Sequence, residues 1–334
     1  MITRDEIMTK YNWGIIGPGN IARKFTAGLR QLENANLYSV VSRSKERAER
    51  FAQEYGYKKS YDDYRMFASD PQLDIVYIAT PHSHHHEHSL LCLRNGKAVL
   101  CEKPFALNSI QVEEMINTAR ENKLFLMEAL WPPFQPYYIK AAELISASYT
   151  GKVRYIISKF AFRAPYDPQA RTFNPDLAGG SLLDIGIYPV IDTLRFLGKP
   201  DNIETSAVIA PTGVDESVGV LFGYNDGRGA SLYSSFVNDG GICTDILCEN
   251  ANIILSRSRD YVQYLNVKYT NGEAEGYSYK PPAMGFHYEA AEVMKCLDEG
   301  LKESPVVPLS FSSDLINTLD RIRRKAGIIY PQEK

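Results

Sequence analysis

A short segment near residue 100 places a carboxylate, an ammonium and a proline directly after an apolar run. Val99–Cys101 has the composition of a buried parallel strand, and it is followed by Glu102, Lys103 and Pro104. An isolated Glu–Lys pair at a strand end more often faces solvent. Open α/β sheets, however, bind their ligands at the carboxyl ends of their strands, so the neighbouring elements decide which interpretation applies.

A second candidate segment follows the glycines at positions 179 and 180. If a helix runs through it, Asp184 and Tyr188 lie one turn apart on the same face, with their β-carbons about 6 Å apart. A tyrosine packed in a helix core explains the same pattern, since the chain contains 22 Tyr. Pro189 fits the first turn of a helix, which leaves the local conformation open.

The elements before these segments have the pattern of a dinucleotide-binding fold. Trp13–Ile16 is a short apolar strand, and a helical pattern runs to about Leu32. Between them lies G-x-G-x-x-A, in which the first glycine permits a tight turn, the second lets a pyrophosphate approach the backbone and the alanine fits the helix against the sheet. A structural glycine turn and a methyltransferase-type nucleotide loop are the alternatives. The loop consists of Gly17, Pro18, Gly19, Asn20, Ile21 and Ala22.

The second strand candidate, Leu37–Val41, ends in two serines that flank an arginine: Ser42, Arg43 and Ser44. A site for NAD normally has an acidic residue at this strand end, which accepts a hydrogen bond from the ribose 2′-hydroxyl. Two hydroxyls and a guanidinium suit a 2′-phosphate instead. We therefore predict NADP as the cofactor, with NAD as the alternative. An ordinary solvated loop also accounts for Arg43.

Five of the six histidines fall between residues 82 and 88, after the apolar strand candidate Leu73–Ala79. If a helix begins near His84, the pairs His84/His88 and His85/His88 have a spacing that suits metal ligands. No cysteine or carboxylate elsewhere has a matching spacing. We therefore predict no metal site and expect one or two of these rings to line a cofactor pocket.

Strand and helix patterns alternate up to about residue 130 and then change. The first part predicts six strands separated by helices, a doubly wound parallel sheet of the α/β Rossmann type. Proline density rises between Trp131 and Pro136, which we take as the hinge between a dinucleotide-binding domain (1–131) and a substrate-binding and oligomerisation domain (132–334). Six strand candidates with short turns then predict an α+β domain with an open, mainly antiparallel sheet. We expect the last helix to pack back on the first domain.

The composition is that of a globular protein with little net charge. A formal charge of −3 gives no electrostatic reason to expect nucleic acid or an anionic membrane as a partner. No apolar run approaches the roughly 18 residues of a membrane-spanning helix. The five cysteines are scattered, so we expect reduced thiols and a cytoplasmic protein. We expect the polar segment Met1–Lys10 to be a disordered extension, with Met8 as an alternative start.

Taken in order, these motifs resemble those of the Gfo/Idh/MocA oxidoreductase family, and the resemblance covers nearly the whole chain. It implies an N-terminal Rossmann domain and a C-terminal domain on an open, mainly antiparallel sheet, often used for oligomerisation and here expected to form a homodimer or tetramer. It also implies catalytic roles for Lys103, Asp184 and Tyr188. The residues that carry the resemblance are the glycine loop, Thr80, Pro81, His85, Glu102, Lys103, Pro104, Gly179, Gly180, Asp184 and Tyr188.

Tyr188 stands where many members of the family have a histidine. In this respect the chain resembles the branch of dimeric dihydrodiol dehydrogenases and glucose-fructose oxidoreductases, whose members favour NADP. Two departures from the family pattern, Pro133 for a common Arg and His82 for a frequent Asn, leave the identity of the substrate open. The residues expected to contact the cofactor are Gly17, Pro18, Gly19, Asn20, Ile21, Ser42, Arg43, Ser44, Thr80, Pro81, His82, His85, Glu102 and Lys103.

The chemistry predicted for these residues is hydride transfer between a nicotinamide and a hydroxyl or carbonyl group, with a proton moved on the substrate oxygen. A tyrosine with an ordinary pKa of about 10 needs about 4 kcal/mol of phenolate stabilisation to act near pH 7, and one ammonium about 4 Å away supplies about that much. We therefore expect Tyr188 to transfer the proton and Lys103 to lower its pKa. Asp184 and Glu102 are expected to keep the Lys103 ammonium charged.

No basic run or acidic pocket marks the substrate, so we expect a neutral polyhydroxylated molecule: a sugar, a polyol or a cyclic trans-dihydrodiol. Two alternatives are a non-catalytic NADP-sensing regulatory protein on the same fold and a glycosidase of the same family that uses tightly held NAD transiently. The residues expected to line the substrate entrance are Trp131, Tyr166, Arg171 and Phe173.

Overall fold

A computed structural model describes residues 9–147 and 149–333 of the chain. The predictions of a disordered extension and of a start at Met8 concern mainly residues 1–8, which lie outside these ranges. Within the described ranges the chain forms two β-sheets. Buried apolar side chains from both sheets belong to one continuous core.

The first sheet contains six parallel strands. They are β1 (Tyr11–Ile16), β2 (Ala35–Val41), β3 (Lys59–Tyr61), β4 (Ile75–Ile78), β5 (Ala98–Glu102) and β6 (Leu126–Ala129). Their order is β3-β2-β1-β4-β5-β6, which confirms the predicted doubly wound sheet. The short apolar runs of β4 and β5 are buried along their whole length because helices cover both faces.

Five helices connect these strands: α1 (Asn20–Leu29), α2 (Lys45–Tyr55), α3 (Tyr64–Ala68), α4 (His85–Arg94) and α5 (Ser109–Glu121). Polar side chains cap most of their N-termini. Asp63 accepts hydrogen bonds from two backbone N–H groups of α3, and Asn108 accepts one from α5. Helix α1 differs, because its capping residue is Gly19 and no side chain accepts from its first N–H groups. Its N-terminus is therefore free to bind a ligand.

The second sheet contains eight strands: β7 (Val153–Ala161), β8 (Asn202–Ile209), β9 (Asp215–Gly223), β10 (Gly229–Ser235), β11 (Gly241–Cys248), β12 (Ala251–Arg257), β13 (Gln263–Tyr269) and β14 (Ala274–Tyr279). Their order is β14-β13-β12-β11-β7-β10-β9-β8. Only the β7/β10 pair is parallel within the described residues, so the prediction of an open, mainly antiparallel sheet is confirmed.

Strands β13 and β14 are absent from the sequence prediction. Polar residues alternate with apolar ones in β13, and β14 lies at an edge with most of its residues exposed. Such strands lack the apolar run that marks a buried strand. Pairing with β12 and then with β13 is what makes them regular.

Four further helices complete the chain: α6 (Pro136–Ser146), α7 (Ile187–Leu197), α8 (Phe286–Asp298) and α9 (Leu309–Ala326). Helix α9 packs against α5 and β6, and Asp320 on α9 accepts a hydrogen bond from the Ser109 N–H. One helical stretch, Pro175–Leu197, is long and apolar enough to span a membrane, but 89% of its most apolar window is buried inside the protein, as in a core helix.

Candidate active site

The glycine loop between β1 and α1 has the shape that a pyrophosphate needs. Gly17 has a φ of +89°, and a Cβ at this position would lie 2.9 Å from the Thr80 side chain. A Cβ on Gly19, in contrast, would meet only the Gly17 carbonyl oxygen, at 4.0 Å. The space in front of the free α1 N-terminus is therefore open, and helix N-termini favour anions. These residues fit a dinucleotide cofactor.

One large cleft of about 730 Å³ begins at this loop and extends to the second sheet. Most of the cofactor and catalytic candidates line it, whereas Ser44, Tyr166 and Phe173 do not. The predicted residues that line the cleft are Gly17, Pro18, Gly19, Asn20, Ile21, Ser42, Arg43, Thr80, Pro81, His82, His85, Glu102, Lys103, Trp131, Arg171, Asp184 and Tyr188.

Arg47 lines the cleft together with Ser42 and Arg43, and the sequence prediction missed it. Arg47 lies one turn into α2, and its spacing from Arg43 is the signal that was available. Ser44 has a different role from the predicted phosphate contact. Its hydroxyl oxygen accepts a hydrogen bond from the Arg47 N–H at 3.3 Å and so caps α2. The helix start uses this side chain, because the first N–H groups of a helix need acceptors.

The histidine cluster forms pairs with acidic and aromatic residues. His84 lies 2.7 Å from Glu87, His86 lies 2.9 Å from Glu114, and the His88 ring stacks on Tyr64. Across residues 9–147 and 149–333, no three His, Cys, Asp or Glu side chains are grouped as metal ligands.

His82 and His85 connect the β4 loop to the catalytic segment. The His85 ring nitrogens lie 2.7 Å from the Pro104 carbonyl oxygen and 2.8 Å from the Thr80 carbonyl oxygen. Burial lowers the pKa of His85 to about 4, so the ring is neutral at physiological pH. His82 lies 3.1 Å from the Ala178 carbonyl oxygen, in the chain of the second half. The two rings therefore fix the strand ends against each other.

Lys103, directly after β5, makes the central contact of the cleft. Its Nζ donates to Asp184 Oδ1 at 3.1 Å and to the Asp184 carbonyl oxygen at 2.5 Å. The same ammonium lies 5.1 Å from the centroid of the Tyr188 ring. Burial disfavours the charged form of Lys103, but the attraction to Tyr188 and Asp184 outweighs this effect. The pKa of Lys103 is therefore raised. The ammonium therefore stays charged.

Arg171 holds the other side of the Asp184 carboxylate. Its guanidinium donates two hydrogen bonds to Asp184, at 2.9 and 3.0 Å, in the bidentate geometry that is strongest for this pair. Burial would raise the pKa of Asp184, but Arg171 and Lys103 hold it well below its ordinary value. Arg171 thus lines the cleft as predicted, and its guanidinium positions the Asp184 carboxylate.

The expected lowering of the Tyr188 pKa is wrong. Burial raises the pKa of Tyr188 above its ordinary value, and the opposing effect of Lys103 is smaller. The Lys103 ammonium lies 5.1 Å from the centroid of the Tyr188 ring, and its effect on the phenol does not offset the cost of burial. Tyr188 is therefore a neutral phenol, ready to donate a proton.

Glu102 helps to raise the pKa of Lys103, but Tyr188 and Asp184 have the larger effects and Asp184 makes the direct contact. Glu102 accepts a short hydrogen bond from the Tyr77 hydroxyl, on the neighbouring strand β4. Burial raises the pKa of Glu102, with Lys103 opposing this effect. Asp184 is thus the carboxylate that pairs with the Lys103 ammonium.

A π-helical turn, Leu182–Gly186, directly precedes α7 and carries Asp184. Pro189 explains why the turn is wide. Proline has no N–H, so the carbonyls of Asp184 and Ile185, five and four residues earlier, receive no hydrogen bond from position 189, and the proline ring crowds a regular helix. The Asp184 carbonyl oxygen accepts from Lys103 instead.

The substrate end of the cleft includes three residues that the sequence prediction missed: Arg257, Tyr261 and Phe286. Arg257 follows a predicted strand directly, but Tyr261 lies in a loop and Phe286 at the start of α8, both far from any motif. Trp131 lines this end as predicted.

Two of the predicted entrance residues lie elsewhere. Phe173 is buried in a small separate apolar cluster, where its ring contacts Phe236. Tyr166 lies on the surface, packed with its ring centroid 5.0 Å from that of Phe173. Their aromatic character serves packing, which is the more frequent role of such residues.

The fold and the cleft define a class of protein, and sequence comparison agrees with it. The model of the oxidoreductase family with an NAD-binding Rossmann fold matches residues 11–130, and that of the GFO/IDH/MocA C-terminal domain matches residues 138–254. The chain therefore belongs to the Gfo/Idh/MocA family of oxidoreductases, as its motifs predicted.

Several individual proteins of known sequence or structure are similar to this chain over nearly its whole length. The trans-1,2-dihydrobenzene-1,2-diol dehydrogenase of Mus musculus is 37% identical over 339 residues, which cover 96% of this chain and 98% of that protein. Among solved structures, the 3-ketoreductase KijD10 of Actinomadura kijaniata with NADP and TDP-benzene has a TM-score of 0.84 at 22% identity, covering 95% of this chain and 98% of its own. Levoglucosan dehydrogenase with NADH and levoglucosan has a TM-score of 0.86 at 19% identity, covering 96% and 98%. The two structures share the fold of this chain.

Proposed function

We propose that the protein is an NADP-dependent oxidoreductase that transfers a hydride between the nicotinamide and a hydroxyl or carbonyl group of a sugar, a polyol or a cyclic trans-dihydrodiol. The observation that carries this proposal is the Lys103 ammonium, 3.1 Å from Asp184 and over the Tyr188 ring, in the same cleft as the glycine loop. The dehydrogenase and ketoreductase names of its relatives support the same reaction class.

The chain's own residues supply the proton chemistry. A bound nicotinamide would supply or accept the hydride. Tyr188, a neutral phenol, donates the proton to the substrate oxygen when a carbonyl is reduced. Lys103 stays charged and stabilises the negative charge that develops on that oxygen. Asp184 fixes the ammonium, and Arg171 fixes Asp184.

The far end of the cleft supports NADP over NAD. Ser42, Arg43 and Arg47 line it, and strand β2 ends without an acidic residue. Two guanidinium groups suit a 2′-phosphate, which carries a formal charge of about −2.

The proposal also assigns a separate binding role to each half of the chain. Residues 1–131 would hold the cofactor and residues 132–334 the substrate. The chain leaves the first sheet at the end of β6, at Ala129, which supports a boundary near Trp131. The ranges matched by the two family models, 11–130 and 138–254, support it as well.

The proposal is tested by fluorescence titration with NADPH and NADH, followed by a panel of sugars, polyols and dihydrodiols at the nicotinamide absorbance. We expect tighter binding of NADPH and net turnover with at least one hydroxylated substrate. NADPH binding without turnover across the panel would instead identify a sensor protein. Sugar release from glycosides without net cofactor turnover would identify a glycosidase.

We further propose a cytoplasmic homodimer or tetramer that associates through the outer face of the second sheet. All five cysteines lie in the described ranges and are free thiols, which suits a reducing compartment. The outer face exposes apolar side chains, with Ile157 on β7 44% exposed and Leu221 on β9 55% exposed. Exposed apolar patches of this kind are typical of protein interfaces.

The outer face is tested with Ile157→Glu. A charge on this face should convert the oligomer to a monomer in light scattering, because a glutamate at the centre of an apolar interface is left without a partner. The matched control is Ile110→Glu on α5, whose residue is 77% exposed and lies outside the sheet. Unchanged mass for Ile157→Glu would reject this interface.

A further inference from the structure

The substrate end of the cleft contains an arginine that no carboxylate neutralises. Arg257 is the last residue of β12, and its guanidinium carbon lies 4.8 Å from the Trp131 ring centroid and 4.7 Å from the Tyr261 ring centroid. Among residues 9–147 and 149–333, its side chain forms no ion pair and no hydrogen bond with another protein group. Cation–π contacts hold the guanidinium in place without satisfying its five N–H donors.

The charges at this end of the cleft do not balance. Lys103 and Arg171 are both cations, and both contact the one carboxylate of Asp184. Glu102 accepts its hydrogen bond from a tyrosine hydroxyl. Asp192, which lines the small adjoining cavity with Arg257, accepts hydrogen bonds from the Thr244 and Ser158 hydroxyls and forms no ion pair with Arg257. Arg257 therefore adds a positive charge for which the described residues provide no counterion. An anionic ligand would supply it at low cost, since the cation is already positioned.

Arg257 lies close to the reacting centre. The Phe160 ring centroid is 5.4 Å from that of Tyr188 and 5.9 Å from the Arg257 guanidinium carbon. Arg257, Trp131 and Tyr188 all line the main cleft and also a small adjoining cavity of about 30 Å³. A molecule whose reacting oxygen meets Tyr188 thus has its other groups within reach of Arg257.

Tyr261, whose ring contacts Arg257, has a defined backbone conformation and two hydrogen bonds. Tyr261 lies in the tight loop between β12 and β13 and has a φ of +62°, which costs a non-glycine residue of order 1 kcal/mol or more. Its N–H donates to the Ser258 carbonyl oxygen at 3.1 Å, and its hydroxyl accepts from Lys24 of α1 at 2.8 Å. This loop therefore joins the cofactor half to the substrate half directly beside Arg257.

We propose that Arg257 binds an oxyanion of the substrate, so that the preferred substrates are sugars or polyols carrying a carboxylate or a phosphate group. The inference rests on the proposed function and replaces the expectation of a neutral substrate. Guanidinium groups bind carboxylates and phosphates through two parallel hydrogen bonds, which gives both affinity and orientation. The anion would anchor the molecule while its hydroxyl or carbonyl faces Tyr188.

Kinetics with matched probes test the proposal. Glucose, glucuronate and glucose 6-phosphate share one ring and differ in charge, and each is assayed with NADP at the nicotinamide absorbance. We expect kcat/KM for at least one anion to exceed that for glucose by about 10- to 100-fold, mainly through a lower KM, as a charged hydrogen bond provides. The carboxylate and phosphate arms separate the two possible anions.

Two variants separate binding from structure. Arg257→Gln should lower kcat/KM for the preferred anion by about 10-fold or more beyond any loss on glucose, and so remove the preference for the anion. Arg259→Gln is the matched control, because Arg259 lies in the same loop with its side chain 82% exposed and paired with Asp239. Equal losses on all three probes in Arg257→Gln would show a packing role and overturn the proposal.

A binding measurement distinguishes this inference from the proposed function. Trp131 contacts Arg257, and the only other tryptophan, Trp13, is fully buried in the first sheet. Tryptophan fluorescence of the NADPH complex should therefore report tighter binding of an anion than of glucose, and Arg257→Gln should abolish the difference. A charge preference in binding without any turnover would reject the proposed function alone. Turnover or binding without a charge preference would reject the role of Arg257.

Discussion

At the residue scale, the site depends on one carboxylate that serves two cations. Asp184 accepts two hydrogen bonds from Arg171 and one from Lys103. Arg171 contacts the carboxylate from one side, and Lys103 contacts it from the other while lying over the Tyr188 ring. The arrangement keeps one ammonium charged and one phenol neutral in the same cleft, which is what carbonyl reduction requires.

We predict that Tyr188→Phe lowers kcat for carbonyl reduction by about 10²-fold or more, since the variant lacks the proton donor. NADPH affinity, measured by fluorescence, should change little. The raised pKa of Tyr188 also has a consequence for pH. The phenol stays protonated throughout the neutral range, so the wild-type rate of reduction should show no loss from this group between about pH 6 and 9. Near-normal turnover by the variant would transfer the donor role to Lys103.

Arg47 is predicted to determine cofactor preference together with Arg43. Arg47→Ala should weaken NADPH binding by about tenfold, because a guanidinium–phosphate contact is lost, and should leave NADH binding unchanged. Arg50→Ala, on the same helix but outside the cleft, is the control and should alter neither. Equal weakening of both cofactors by Arg47→Ala would contradict a 2′-phosphate contact.

At the element scale, the π-helical turn Leu182–Gly186 connects local sequence to catalytic geometry. Pro189 is the third residue of α7, which continues directly from the π-helical turn. Its effect falls on the preceding turn, whose carbonyls it cannot serve. The Asp184 carbonyl is thereby left to Lys103. The proline thus helps to position Asp184 and Lys103 while helix α7 remains regular.

We predict that Pro189→Ala retains the free energy of unfolding to within about 1 kcal/mol but lowers kcat by about tenfold or more. Alanine supplies an N–H to the preceding turn, which favours a regular helix and moves Asp184 away from Lys103. Urea unfolding and steady-state kinetics measure the two effects. Pro71→Ala, in an exposed turn, is the control with unchanged kcat. Full activity in Pro189→Ala would mean that packing alone sets the π-helical turn.

At the scale of the whole molecule, several buried carboxyl groups make stability depend on pH. Burial raises the pKa of Glu128 to about 7 and those of Asp192 and Asp215 to about 6. In each case the folded state holds the proton more tightly than the unfolded chain. As the pH rises through the interval between the unfolded and folded pKa, the unfolded chain ionises first and the free energy of unfolding falls.

Glu128 gives the clearest prediction. Between about pH 4.5 and pH 7 this one group should reduce the free energy of unfolding by about 3 kcal/mol. Glu128→Gln should therefore be more stable than the wild type at pH 8 by an amount of that order, and the difference should shrink toward pH 5. The amide retains an oxygen for the Phe105 N–H, which the carboxylate accepts at 2.9 Å. Denaturant unfolding at the two pH values measures this difference, and a pH-independent difference would contradict the raised pKa.

Much of the architecture followed from local pattern. Strands β4 and β5 could be predicted from their short apolar runs, because a parallel strand buried on both faces needs apolar residues throughout. The glycine loop could be predicted because the backbone conformation of Gly17 and its close approach to Thr80 exclude most side chains. Strands β13 and β14 were missed because their regularity comes from pairing with neighbours.

What the sequence by itself determined, then, was the family and the two-part fold, and it marked Lys103, Asp184 and Tyr188 as candidates, because these depend on short segments in fixed order. Only the tertiary structure decided how they act. Desolvation depends on everything that packs around a group, so the raised pKa of Tyr188 has no local signature. For the same reason Arg257, which is distant in sequence from every motif, becomes a binding candidate only when folding brings it beside Trp131.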